Sequence, residues 1–177
     1  GFAGVIVDSQ ANESVASECG AVNILRIPWG IDISVFSDSG PPMDLSNWGV
    51  SEDEPVVLSL RAHEERYRVG DIIRAFAGKN QPARLVIGNS GSLTNDLKSL
   101  ASHLGVAAAF VPPMDEEDLP ALLRRASAYV TASEVDGTSV TLLQAMACGV
   151  PVVASVNAGN VDWVPELETG FTFPIGD

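Results

Sequence analysis

Four groups of residues are of types that can handle a phosphorylated ligand. Arg61, Arg66 and Arg68 put three of the ten basic residues within eight positions, in a chain of formal net charge -13. Guanidinium forks match phosphate oxygens by bidentate geometry. The second group is the turn Gly88 to Gly91, which follows an apolar run and can let a ligand approach the backbone. The third is the acidic loop Glu134 to Asp136, which continues into Gly137, Thr138 and Ser139 before an apolar run from Val140. A helix starting there has first amides without intrahelical partners, and its macrodipole adds positive potential, so the loop can hold an anion. Gln144 is the fourth. Five residues into such a helix, it lies ~7–8 Å along the axis, comparable to the span from a diphosphate to the ribose of the same nucleotide. It is surrounded by Val140, Leu142, Leu143, Met146 and Ala147, so its amide needs a partner, either a core backbone group or a ligand hydroxyl. Ordinary roles exist for the others too: Arg66 and Arg68 can pair with Glu64 and Glu65, the glycine turn can be only a turn, and Asp136 can be an N-cap.

The elements that must position these residues alternate. Strands are expected at Val56 to Leu60, Arg84 to Ile87, Ala107 to Val111, Ala128 to Thr131 and Val152 to Ala154, with a sixth at Phe171 to Phe173. Helices are expected at Val69 to Ala77, Leu93 to Leu104, Asp115 to Arg125 and from near Ser139 to the stop at Gly149 and Pro151. This spacing predicts an α/β fold with a doubly wound, Rossmann-like parallel sheet, whose ligands sit beyond the carboxyl ends of the strands. Arg61, the turn at Gly88 and the loop before Ser139 all fall at such strand exits. The first third differs. Gly4 to Val7 reads as a strand, Ser9 as an N-cap, Ala11 to Cys19 as a helix stopped by Gly20, and Asn23 to Ile27 as an extended run. Residues 37–55, rich in Ser, Asp, Gly and Pro, read as a linker or long surface loop.

Bulk properties narrow the partners. The acidic balance argues against nucleic acid and against an anionic membrane surface. It fits a solubility-driven surface or a salt-rich habitat, with Lys79 and Lys98 the only lysines. Cys19 and Cys148 are too few for a disulfide framework, so a reducing compartment is the default. No signal peptide is recognisable and no apolar run approaches the ~20 residues of a membrane span. The chain opens on Gly1 at the threshold of a strand and is expected to be a piece of a longer protein. Neither a G-x-G-x-x-G after the first strand nor a Walker A sequence is present, and Ser139 is not set in G-x-S-x-G. His63 and His103 lack further ligands at metal spacing, so no metal site is expected, and His63 reads as a solvated loop histidine.

The run Ser133 to Ser155 resembles the signature region of the retaining, nucleotide-sugar-dependent glycosyltransferases of the GT-B fold, family 4 (group 1). A loop acid, a Gly-rich turn, a second acid eight positions on and an A-M-A-C-G-x-P-V-V-A ending recur there. Ile27 to Phe36 resembles the hinge motif, Leu58 to Arg61 the strand carrying a phosphate-binding Arg, and Ala158 to Phe171 the closing stretch, so the resemblance covers about residues 25–177.

The resemblance implies the C-terminal, donor-binding half of a two-domain enzyme. Residues 1–26 would be a remnant of the N-terminal domain and hinge, and residues 27–177 the nucleotide-sugar-binding domain. It implies Arg61 on the donor diphosphate, backbone amides of Gly137, Thr138, Ser139 and Val140 on the same phosphates, Asp136 facing the donor sugar and Gln144 at the ribose. Arg61 and Asp136 would be the catalytic pair, with Arg66, Arg68, Gly88 and Glu134 completing the donor site. Charge on the leaving diphosphate would be stabilised electrostatically, without metal or other cofactor. The implied activity is transfer from a UDP- or GDP-sugar to an acceptor hydroxyl with retention, in polysaccharide or glycolipid synthesis. The implied setting is the cytoplasm, or for the full-length protein the inner face of the membrane. The partners would be the nucleotide sugar and the missing N-terminal domain, without which this fragment is expected to be inactive. A non-catalytic nucleotide-sugar-binding domain and another GT-B enzyme, such as a sugar-nucleotide epimerase, are the alternatives. Three positions depart from the family pattern: Asp136 stands for Glu, Gln144 for the second acid, and Tyr67-Arg68 for Lys-Gly.

Overall fold

In the computed structural model, which describes residues 3–78, 82–165 and 168–177, residues 5–26 fold apart from the main sheet. Gly1 and Lys79 lie outside the described residues. Strands β1 (Val5–Val7) and β2 (Ile24–Arg26) pair in parallel, joined by helix α1 (Gln10–Glu18). Ser9 is the N-cap: its backbone is extended and its Oγ accepts the Asn12 amide at 3.3 Å. Gly20, at φ 80°, takes the left-handed turn that ends the helix region.

The main sheet uses six strands: β3 (Val56–Ser59), β4 (Arg84–Gly88), β5 (Ala108–Val111), β6 (Ala128–Thr131), β7 (Val152–Ser155) and β8 (Gly170–Phe173). All neighbours are parallel, in the order β5-β4-β3-β6-β7-β8. Period-two alternation sends Leu58, Val86, Tyr129 and Val152 to one face and Val57, Leu85, Ile87 and Val130 to the other. Helices α2 (Val69–Phe76) and α3 (Thr94–His103) cover the second face, while α4 (Leu119–Arg124) and α5 (Val140–Ala147) cover the first. A last short helix, α6 (Ala158–Val161), follows β7. The predicted doubly wound sheet and its sixth strand are therefore present.

The strand order reverses between β3 and β6. The crevice outside the carboxyl ends of those two strands is where an open α/β sheet leaves room for a ligand. Arg61 follows β3 and the acidic loop follows β6, so the topology brings both to one place.

Two sequence expectations change. Residues 37–55 are not a free linker: Leu45 and Val50 sit in the main core, 1% and 2% exposed, around a 3-10 turn at Ser46–Trp48. Arg125 straps the segment down by donating to the carbonyls of Ser51, Glu52 and Glu54. The helix expected from Asp115 begins only at Leu119. Pro120, without an amide proton, fits the first turn and not the interior, so Asp115 to Asp118 form a turn instead.

Candidate functional site

Arg61 joins the two strand exits. Its Nη1 donates to Ser139 Oγ at 2.9 Å, its Nη2 lies 2.7 Å from Asp136 Oδ2, and its Cζ stands 4.3 Å from the Tyr67 ring centroid. The Asp136 contact is close, but its angles do not make it a hydrogen bond, so it is held by charge. The two side chains are 10% and 15% exposed. Desolvating such a pair offsets much of its attraction, so its value lies in fixing where a positive group stands. Arg61 Nε is buried with no partner among the described residues. Tyr129, wholly buried on β6, places its hydroxyl near the same pair, and among the described residues it makes no hydrogen bond of good geometry. Burial pushes its pKa up to about 12; the Arg61 charge opposes the shift and the Asp136 charge adds to it.

The other two arginines are arranged differently from the pairing with Glu64 and Glu65 that their spacing allows. Arg66 also stands over Tyr67, its Cζ 5.0 Å from the ring centroid, and its carbonyl accepts the Glu134 amide at 2.8 Å. Arg68 donates through Nε to Asp71 at 2.7 Å, with Nη1 3.9 Å from Glu134 Oε2. Glu64 instead clamps the glycine turn, accepting the Ser92 amide at 2.8 Å and hydroxyl at 2.7 Å. The Ser92 hydroxyl, then its amide, hold the Glu64 carboxyl below the ordinary range.

Gly88 ends β4, and a Cβ there would meet the end of the Leu60 side chain, which would have to shift to admit it. At Gly91 a Cβ would meet the His63 carbonyl at 2.6 Å. His63 is not a solvated loop residue. It is 1% exposed, with Nδ1 2.8 Å from Thr94 Oγ1, its ring edge-on to Phe110, and Nε2 without a partner. The tight turn at Gly91 folds over it, which its position after a strand does not reveal. Burial, with Lys98 adding to it, lowers the imidazole pKa, against the weaker opposing effects of a Gly88 backbone contact and Glu64.

The loop into α5 is hemmed on two sides. A Cβ on Gly137 would meet Asp8 Oδ2 at 2.6 Å, and a Cβ on Gly159 of α6 would fall on the Gly137 carbonyl. Thr138 donates its hydroxyl to the Asp8 carbonyl at 3.0 Å. The start of the loop is fixed by Ser133, whose carbonyl accepts from Ser155 Oγ at 2.6 Å and Asn157 Nδ2 at 2.9 Å. Ser139 is the N-cap residue of α5 but makes no capping bond, because its hydroxyl serves Arg61. Val140 is partly exposed at the helix start, and Glu134 faces solvent with its side chain 55% exposed. Gln144 is half-buried, and among the described residues its amide makes no side-chain hydrogen bond to the core.

Sequence reasoning missed Asp8, Tyr129 and a cavity of about 120 Å³ lined by Leu60, Asn89, Pro112, Pro113, Met114 and Thr141 at the exits of β3, β4 and β5. Pro112 and Pro113 carried a signal only as a strand stop. Among the described residues there is no group of three or more His, Cys, Asp or Glu that could hold a metal ion. Nor is any described helix long and apolar enough to cross a membrane.

Residues 44–177 match the family described as Glycosyl transferases group 1. The D-inositol 3-phosphate glycosyltransferase of Mycobacteroides abscessus is 29% identical over 152 residues, covering 82% of this chain and 34% of that protein. Its counterpart from Mycobacterium bovis is 31% identical over 137 residues, covering 73% and 28%. The chain thus spans about a third of the length of these curated relatives. Among solved structures, the sucrose-phosphate synthase (tll1590) from Thermosynechococcus elongatus superposes with a TM-score of 0.85 at 25% identity, over 98% of this chain and 45% of that one. Anabaena Alr3699/HepE, solved in complex with UDP and glucose, has the same fold with a TM-score of 0.85 at 20% identity, over 99% and 50%.

Proposed function

Because the chain belongs to the group 1 glycosyl transferases, we propose that it is the donor-binding half of a retaining enzyme that moves a sugar from a nucleoside diphosphate to an acceptor hydroxyl. The observation that carries this reading is Arg61. One guanidinium at the exit of β3 reaches the start of α5 and the acidic loop together, so cation, helix amides and carboxylate converge on one crevice.

In this reading the donor diphosphate seats against Arg61 and the amides of Gly137 to Val140. Asp136, released from Arg61 as the phosphates arrive, turns to the sugar hydroxyls. Arg66 and Arg68 supply the charge that the Tyr67-Arg68 departure removes from the family pattern. The free amide of Gln144 binds ribose hydroxyls, and the cavity beside Pro112 and Met114 takes the nucleobase. As the bond from the sugar to the diphosphate breaks, negative charge gathers on the leaving phosphate. Arg61 and the fixed amides stabilise it electrostatically with no metal required. The N-terminal domain brings the acceptor, in polysaccharide or glycolipid synthesis on the cytoplasmic side. Fold similarity to a protein solved with UDP and glucose makes UDP-sugars the first donors to try, with GDP-sugars beside them.

Calorimetry with UDP, GDP and their sugars tests the reading. Arg61→Ala is expected to weaken nucleotide binding roughly a hundredfold, as truncating a buried charge partner does. Unchanged affinity in that variant would overturn the site assignment. Joining the chain to an N-terminal domain and measuring transfer then separates an enzyme from a binding domain.

A further inference from the structure

The crevice already holds a carboxylate that belongs to a different part of the chain. Asp8 lies just past β1, in the small N-terminal unit, 130 positions from the loop it touches. One carboxylate oxygen, Oδ1, is taken by Asn12 Nδ2 at 2.7 Å. The other, Oδ2, faces the loop. It stands 3.5 Å from the Thr138 amide and 2.6 Å from where a Gly137 Cβ would project. The Asp8 carbonyl also accepts the Thr138 hydroxyl, so the residue is fixed beside the loop by its backbone. The amide contact is at the limit of a hydrogen bond, which makes the carboxylate a neighbour of the amide and not a cap that consumes it. Asp136, the other acid nearby, is occupied by Arg61 at 2.7 Å. Among the described residues no cation hydrogen-bonds to Asp8, whose neutral partners Asn12 and Trp29 leave its charge in place beside the loop.

We propose that Asp8 is a specificity-determining residue of the donor site, which disfavours the released nucleoside diphosphate relative to the intact nucleotide sugar. This rests on the donor reading above. In the nucleotide sugar the terminal phosphate is bonded on both sides, by an ester to the sugar and an anhydride to the inner phosphate, and carries one charge. Once the sugar has left, that phosphate is a free terminal group on the anhydride with a second ionisation near pH ~6, so at neutral pH it is mostly dianionic. The added charge appears beside the Gly137 and Thr138 amides, where Asp8 Oδ2 stands. Arg61 attracts both species, whereas the extra repulsion from Asp8 falls on the product. The residue therefore helps empty the site after transfer while costing the substrate less.

The test is Asp8→Asn in the full 177-residue chain, with Asp8→Ser as a second neutral variant and thermal unfolding as a control on folding. Dissociation constants are measured at pH ~7.5 for UDP and UDP-glucose, and for GDP and GDP-mannose. The expected result is that both variants tighten the nucleoside diphosphate roughly tenfold and the nucleotide sugar by no more than about threefold, as one unit charge a few ångströms away would produce between bulk-water and near-surface screening. Equal tightening of both ligands, or none, overturns the proposal while leaving the donor site intact. A wild-type chain that binds none of the four overturns the donor reading, and the proposal with it.

Discussion

Arg61 and Ser139 are 78 positions apart in sequence, yet Nη1 and Oγ meet at 2.9 Å across the point where the sheet reverses its winding. The bond ties the exit of β3 to the start of α5. Both residues are nearly closed to solvent, so their relative position is set before any ligand arrives. That is preorganisation in the sense electrostatic catalysis requires.

Ser139→Ala removes this tether and leaves the Arg61 charge. A hydrogen bond to a charged group contributes about 1.5–3 kcal/mol. The guanidinium keeps Asp136 and Tyr67, so part of that is retained, and nucleotide affinity is expected to fall roughly tenfold with the melting temperature lowered by about 2–4 °C. Calorimetry and thermal unfolding on the same preparation check both. A variant that binds as tightly as the parent would show that Asp136 and Tyr67 alone orient Arg61.

Tyr129→Phe is expected to leave the fold as stable as before or to stabilise it slightly. The hydroxyl is wholly buried and makes no hydrogen bond of good geometry among the described residues, so its desolvation is not offset. Denaturant unfolding should show a change of about 0–1 kcal/mol in favour of Phe. A loss above ~1 kcal/mol would reveal a bond from the hydroxyl to Arg61 or to bound water.

The buried His63 gives a pH dependence with a defined sign. Its folded pKa lies below the unfolded value of ~6.5, so the unfolded chain binds more protons there as pH falls. The stability it contributes is complete above that value and is lost progressively toward the folded pKa, with a slope of at most ~1.4 kcal/mol per pH unit. The lowered carboxylates of Asp8, Glu54 and Glu64 lose their contribution only below about pH 4.5. Melting temperature should therefore fall between pH ~7.5 and ~5, and His63→Gln should flatten that slope. The same slope in the variant would place the proton elsewhere.

What the sequence makes legible is whatever repeats along it. The strands announce themselves by β-branched runs, and strand exits by the residues that end those runs, so Arg61 and the loop at Asp136 to Ser139 could be assigned to one end of the sheet. Contacts between distant segments carry no period. Leu45 and Val50 look like loop residues because nothing in a Ser- and Gly-rich stretch shows which apolar side chain the core will take. His63 is buried only because the turn at Gly91 closes over it, and Asp8 meets Thr138 only through the packing of α1 beside α6. The helix expected at Asp115 failed for a local reason that was legible: Pro120 belongs in a first turn.

The backbones of Gly137 and Gly159 touch so closely that no side chain fits at Gly159, and Ser133 is anchored by Ser155 and Asn157. The loop before α5 is therefore half of an interlocked pair. Transplanting residues 133–139 alone into another scaffold would leave the loop without the wall that shapes it. A portable module must carry 128–161 together with the segments of Asp8 and Arg61 that brace the loop, and Gly159 accepts a side chain only if the backbone at Gly137 moves with it.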